Sequence, residues 1–196
     1  MVHIDYFHLI HAHQPTLVVL IEMPPRLEYI TIAALCFCGS INAQTNKIVT
    51  TAIDRVVQEI NQSEDYEVRT LENDEFLEQM TDGGGELTGL MRNGQLVKMI
   101  EQVGLSSCVN VTEYYFENSQ LAFISVQGSE FSYIDSTSSF DPRAQDVTMK
   151  ANFYFHANKL IESELKGSTR CGGAPTKEWA AVYQTEALRL KGLLMH

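Results

Sequence analysis

The sequence predicts an α+β domain in which an antiparallel meander of about six to eight strands carries a helix at each end. Two observations support this fold class. Three segments repeat one hairpin pattern, namely "LMRNGQL" (90–96), "YFENSQL" (115–121) and "YFHANKL" (154–160). On both sides of these segments, apolar residues recur at the spacing of a helical stripe.

The first helix is predicted over residues 47–64, with Asn46 as its N-cap, because the apolar residues share one helical face. A strand follows over 66–71, and the acidic segment 72–80 is predicted to form a turn of helix or a loop that ends at the glycines of "TDGGGEL". The apolar stripe of this helix consists of Ile48, Val49, Ala52, Ile53, Val56, Val57 and Ile60.

Each of the three hairpin segments places two apolar residues before a polar turn and a leucine after it. Residues that flank a two-residue turn pair across the strands, so three apolar pairs line one face of the sheet. Alanine resists the positive φ of such turns, so Ala157 predicts a longer loop in the third hairpin. The pairs are Met91 with Leu96, Phe116 with Leu121, and Phe155 with Leu160. Alternation adds Leu87, Ile100, Tyr114, Phe123, Met149, Ala151 and Phe153 to the same face.

The last part of the chain is predicted to contain a polar loop and a second helix. Residues 127–146 are rich in Ser, Thr and Asp, with one short strand at 131–134. Thr176 caps a helix over 177–194 whose apolar residues again form a stripe. Two amphipathic helices and one apolar sheet face predict that both helices pack on that face, which makes a two-layer domain.

The opposite sheet face is the candidate binding surface. Aromatic side chains among polar groups on an open sheet can bind a ligand or a partner, and the 127–146 loop is expected to contribute to the contact. The alternative is that the aromatic rings only cover their cross-strand neighbours. The candidate binding residues are Glu113, Tyr115, Asn152, Tyr154 and His156.

The stretch that begins at Met23, "MPPRLEYITIAALCFCGSINAQ", has the order of a secretory signal peptide. A short segment with Arg26 precedes an apolar run over 30–37, and small and polar residues follow as far as Ala43. The run is much shorter than the roughly 20 residues that a membrane-spanning helix needs. The mature chain is therefore expected to carry no transmembrane segment.

This reading divides the chain into a mis-assigned upstream extension (1–22), a signal peptide (23–43) and a single α+β domain (44–196). The protein is expected to be exported to the periplasm or the extracellular space. A lipid anchor on Cys36 or Cys38 is the alternative.

Cys108 and Cys171 are the two cysteines that remain after cleavage of the signal peptide. In an oxidising compartment an even pair favours a disulfide, here between the start of a sheet strand and the loop before the last helix. The alternative is two unpaired thiols, with Cys108 buried and Cys171 exposed.

Composition excludes some functions and leaves others open. A formal net charge of -11 without any run of basic residues argues against a nucleic-acid partner. The serines lack a G-x-S-x-G context, and no metal or cofactor motif is complete, so we assign no catalytic residue, metal or cofactor. The sequence therefore favours a noncatalytic binding module for an unknown protein or small molecule, and it does not specify the oligomeric state. The alternatives are a periplasmic hydrolase with dispersed acidic residues and an envelope structural or inhibitor protein.

The segments "SINAQT", "EYYFENSQLAFI" and "FYFHANKLIE" carry a family resemblance. Together they resemble small exported proteins of Gram-negative bacteria that contain repeated tyrosine-phenylalanine hairpins and have no assigned activity. The resemblance implies an exported hairpin sheet, and it supplies no catalytic residue.

Overall fold

The computed structural model describes the backbone of residues 28–196 and the side chains of residues 44–196. The chain divides into two units, Met1–Ile41 and Asn42–His196, and the sheet, the C-terminal helix and the later part of the first helix belong to the second. The elements are α1 (Glu28–Gln62), β1 (Glu67–Glu72), β2 (Gly85–Arg92), β3 (Gln95–Gly104), β4 (Cys108–Glu117), β5 (Gln120–Ile134), β6 (Ser139–His156), β7 (Lys159–Gly167) and α2 (Trp179–Met195).

The seven strands form one antiparallel sheet in which neighbours in sequence are neighbours in space. This confirms the predicted α+β class, the meander, and the helix at each end. All three predicted cross-strand pairs are also confirmed, because their register follows from the local chemistry of the turns. They are Met91 with Leu96, Phe116 with Leu121, and Phe155 with Leu160.

The third hairpin has the same two-residue turn as the other two, so the predicted longer loop is wrong. Ala157 and Asn158 take φ values of 49° and 61°, which match the left-handed conformation of Asn93 and Gly94 in the first hairpin. The surrounding strands hold Ala157 in a conformation that alanine alone disfavours.

A β-bulge follows each of these three turns. Val97, Ala122 and Ile161 are extra residues on the returning strands, where the register shifts by one. Beyond each bulge, the side chains of the returning strand exchange faces. The prediction that Ile100 and Phe123 share the face of Met91 is therefore wrong.

The two helices cover opposite faces of the sheet, and the prediction that both pack on one face is wrong. The face under α2, here called the α2 face, contributes Leu87, Met99, Tyr114, Ile124 and Phe153 to a core with Ala187, Leu190 and Leu194 of α2. The other face, the α1 face, packs Tyr115, Ala122, Phe123 and Tyr154 against Ile53 and Ile60 of α1. The domain thus has three layers, with the sheet in the middle.

Both predicted helix caps differ from the structure. Asn46 lies inside α1, because that helix begins at Glu28. The side-chain amide of Asn46 donates through Nδ2 to the carbonyl of Ile161 on β7. At the start of α2 the N-cap residue is Glu178, and Thr176 lies outside the helix. Across the helices that the structure describes, no segment combines the length and the apolar character needed to cross a membrane.

The predicted polar loop 127–146 is largely a two-stranded ribbon that extends β5 and β6 beyond the rest of the sheet. Arg170 holds the base of this ribbon, since its guanidinium forms an ion pair with Glu130 at 2.6 Å and lies 5.1 Å from the ring centre of Phe140. Next to Arg170, Cys171 forms the predicted disulfide with Cys108, with their Cα atoms 6.4 Å apart.

Candidate functional site

Tyr115, the first candidate binding aromatic, is buried beneath α1 with 1% of its surface exposed. Its hydroxyl lies 2.7 Å from Glu113 Oε2 and 3.0 Å from Asn61 Oδ1 of α1. Lys98 Nζ completes this network, at 2.8 Å from Glu113 Oε1 and 4.8 Å from the Tyr115 ring centre. Burial and the hydrogen bond to Glu113 raise the pKa of the Tyr115 phenol above its usual range. Tyr115 therefore attaches α1 to the sheet and is not an exposed binding residue.

Tyr154, the second candidate aromatic, has the same role further along α1. It is 7% exposed, and its hydroxyl donates to Asp54 Oδ1 of α1 at 3.1 Å. Its ring centre lies 4.8 Å from that of Phe123, which is part of the same core. The prediction of an exposed aromatic sheet face is wrong, because the bulges and α1 together bury these rings.

The other three candidate binding residues occupy different surroundings. Glu113 and Asn152 are half-buried on the α1 face. Glu113 lies at the edge of α1, where it contacts Tyr115 and Lys98, and Asn152 contacts Ser125 and Glu164. His156 is exposed at the end of β6, where it lines a groove of about 490 Å³ with Ile48 of α1 and Glu117. The structure therefore does not bring the five predicted residues together on one exposed surface.

The described contacts of α1 lie on the strand positions nearest the three hairpin turns. On the rest of the α1 face the side chains are half-buried or exposed, and no contact with α1 residues 44–62 is described there. We call this part the open half-face. Next to α1, Ser125 Oγ donates to Asn152 Oδ1 at 3.1 Å, and Asn152 Nδ2 donates to Glu164 Oε2 at 3.0 Å. Two rows of side chains cross the strands here: Thr70, Thr88, Ile100, Glu113, Ser125, Asn152 and Glu164, and then Glu72, Glu86, Gln102, Val111, Gln127, Lys150 and Lys166.

A concavity of about 400 Å³ adjoins the open half-face at the base of the ribbon. Gln102, Val109 and Phe131 are among its lining residues, so it combines an amide with apolar groups. In the wall of this concavity, the backbone at Gly104 lies close to the backbone at Gly83. A Cβ atom on Gly104 would be only 2.7 Å from the carbonyl oxygen of Gly83. Glycine at these positions therefore shapes the concavity.

A buried acid–phenol pair lies on the opposite side of the sheet, on the α2 face. Tyr114 Oη donates to Glu101 Oε2 at 2.8 Å, and burial raises the pKa of the Glu101 carboxyl. Burial and the nearby Glu101 also raise the pKa of Tyr183 on α2 to about 12. Because Tyr114 is fully buried, this pair is a packing feature of the α2 core.

The side chains of the second row were not predicted as a site from the sequence. Lys150 faces Lys166 because Ile161 bulges out of β7, and without that bulge its partner would be Leu165. Because side chains alternate along a strand, the sequence predicts that Lys150 and Asn152 lie on the face opposite Ala151. No sequence signal predicts which residues lie next to Lys150 on the neighbouring strands.

Among residues 44–196, no three His, Cys, Asp or Glu side chains are close enough together to hold a metal ion. Comparison of the chain with protein-family models, with curated proteins and with solved structures finds no match.

Proposed function

We propose that this protein is a noncatalytic binding module and that the open half-face is its binding surface. The observation that carries the proposal is the incomplete cover of the α1 face. Glu113, Ser125 and Asn152 are half-buried there, on strands that are held in place by hydrogen bonds to both neighbours. A rigid sheet that presents polar groups at fixed spacing is well suited to binding, because little side-chain freedom is lost on contact.

The chemistry of the open half-face favours binding over catalysis. Hydroxyl and amide groups predominate in its centre, and the amide of Asn152 is already oriented by Ser125 and Glu164. Glu101, whose carboxyl pKa is raised by burial, lies on the α2 face beside Tyr114, so it cannot contact a ligand on the open half-face. The ligand class that fits is a polar protein segment or small molecule that exchanges hydrogen bonds with these groups.

A site-specific crosslinking experiment tests this surface. Gln127 of the open half-face is replaced by a photo-crosslinking residue in the native host, and Gln95 at the first hairpin turn serves as the matched control. We expect a covalent adduct from position 127 that is absent from position 95. No adduct at 127, or the same adducts at both positions, would contradict the assignment of the surface.

The proposal includes export, which the disulfide between Cys108 and Cys171 supports, since such bonds persist in oxidising compartments. The α1 contacts described above begin at Asn46, so cleavage after Ala43 would preserve them. Intact-mass and N-terminal analysis of protein from the native host gives the test. A chain that begins at Gln44 would support soluble export. An acylated Cys36 or Cys38 would instead show that the exported protein is anchored to a membrane by a lipid, and a chain that retains Met1 would refute export.

A further inference from the structure

In the second row of side chains on the open half-face, which runs from Glu72 to Lys166, the acidic residues lie at one end and the basic residues at the other. Each member faces the next one on the neighbouring strand, so the row crosses all seven strands without interruption. It begins with two glutamates and ends with two lysines, and the three side chains between them are uncharged. In order across the sheet it reads Glu72, Glu86, Gln102, Val111, Gln127, Lys150 and Lys166. We call it the charged row.

Both ends of the charged row pair like charges directly across two strands, which costs stability. Lys150 faces Lys166, and both are exposed without an acidic partner among the ion pairs and hydrogen bonds of residues 44–196. Glu86 faces Glu72. The described hydrogen-bond partner of Glu86 is the neutral Thr88 hydroxyl at 3.1 Å, and the Glu72 side chain accepts from the backbone N–H of Glu75, so the described partners of both carboxylates are neutral. Violations of a local pairing rule are expected at functional or strained sites.

The length of the charged row indicates the size of the complement. Six inter-strand spacings of about 4.8 Å place its two ends about 29 Å apart. A small anion can occupy the lysine pair, but it cannot also reach the glutamate pair. A polypeptide segment spans this distance with about nine extended residues.

A second copy of the chain is a poorer complement. The two-fold rotation that places the lysines of one copy over the glutamates of the other also places α1 over α1. Each helix is about 10 Å across, so two helices would hold the charged rows apart. A slender segment meets no such obstacle, because it can lie on the open half-face beside α1.

We propose that the open half-face binds a polypeptide segment that crosses the strands beside α1, with its basic end on Glu72 and Glu86 and its acidic end on Lys150 and Lys166. This inference rests on the proposed binding function and names the partner chemistry. Charge order gives the segment its orientation, and the central amides and Val111 contact its neutral middle.

Two labelled peptides of identical composition test this inference on the purified, oxidised protein. One carries two arginines and two glutamates at its two ends with about five neutral residues between them, so that its nine residues span about 29 Å when extended. In the other peptide the same four charges alternate. Fluorescence anisotropy at low ionic strength should show about tenfold tighter binding of the segregated peptide. Equal affinity for the two peptides would overturn the inference.

Charge-exchange variants give the second part of the test. Lys150→Glu with Lys166→Glu should remove the preference, and adding Glu72→Lys with Glu86→Lys should restore it, because the peptide then binds in the reverse direction. Circular dichroism confirms that each variant is folded.

A control that reverses two exposed lysines outside the charged row, Lys159→Glu with Lys177→Glu, should retain the preference. Loss of preference in this control would assign the effect to net charge and overturn the inference. If the crosslink from position 127 forms while the peptide preference is absent, the binding function stands and the proposed partner chemistry fails.

Discussion

Replacing Lys98 with methionine should weaken the attachment of α1 to the sheet. The Lys98 ammonium lies 2.8 Å from Glu113 Oε1, 2.9 Å from Asn61 Oδ1 of α1, and 4.8 Å from the centre of the Tyr115 ring. Its side chain is 9% exposed, so little water can replace these contacts. Methionine keeps most of the apolar length and removes the charge.

The expected loss follows from the environment of the remaining partner. Removing one member of a fully buried ion pair costs about 3–5 kcal/mol. The Glu113 side chain is 32% exposed, so water recovers part of this energy, and we expect Lys98→Met to lower the free energy of unfolding by about 2 kcal/mol.

A double-mutant cycle of Lys98→Met and Glu113→Gln, followed by urea unfolding, measures the coupling directly. We expect a coupling of about 2 kcal/mol for this pair. The control cycle uses Arg92 and Glu59, which lie 3.3 Å apart with the Glu59 side chain 73% exposed, and its coupling should stay below about 1 kcal/mol. A Lys98–Glu113 coupling no larger than that of the control would refute the buried network under α1.

Three further predictions concern the rest of the domain. The raised pKa of Glu101 means that its protonated carboxyl contributes fully to the free energy of unfolding below about pH 4, and that this contribution is lost as the pH rises through the folded-state pKa. Glu101→Gln should remove this loss of stability with rising pH, measured as urea midpoints between about pH 4 and pH 8. Ala157→Gly should raise the free energy of unfolding by about 0.5 kcal/mol, because it relieves a φ of 49°, and a lower midpoint would contradict this. Replacing Cys108 and Cys171 together with alanine should cost about 4 kcal/mol in the loop-entropy model for a separation of 63 residues, and reduction of the wild-type protein should give a similar loss.

Local chemistry explains why much of the sheet could be predicted from the sequence. A two-residue turn determines which residues face each other, so the pairing of Met91 with Leu96 follows from Asn93 and Gly94 alone. The disulfide between Cys108 and Cys171 could also be predicted from the sequence, because these are the two cysteines of the predicted mature domain, residues 44–196.

The bulges explain why the positions of the helices could not be predicted. A bulge such as Ala122 is one extra residue in a strand, and no side chain in "SQLAFI" predicts where it occurs. Its effect is large, because it moves Phe123 to the face that carries Tyr115 and so creates a second apolar surface. An apolar surface on each face of the sheet must be buried by a separate element. Here α2 packs on one face, and α1 packs on the face that carries Tyr115 and Phe123.

The candidate site has a geometric origin in the mismatch between the width of α1 and the length of the strands beneath it. A helix about 10 Å wide covers about three residues of a strand, whereas β3 and β4 have 10 residues each. The remaining strand length must be covered by a partner or be polar, so polarity alone is consistent with simple exposure to water. A surface needed only for solubility is served by charges of both signs in mixed order. The charged row instead places glutamates at one edge and lysines at the other, and this order is what the proposed segment, with its opposite sequence of charges, would complement.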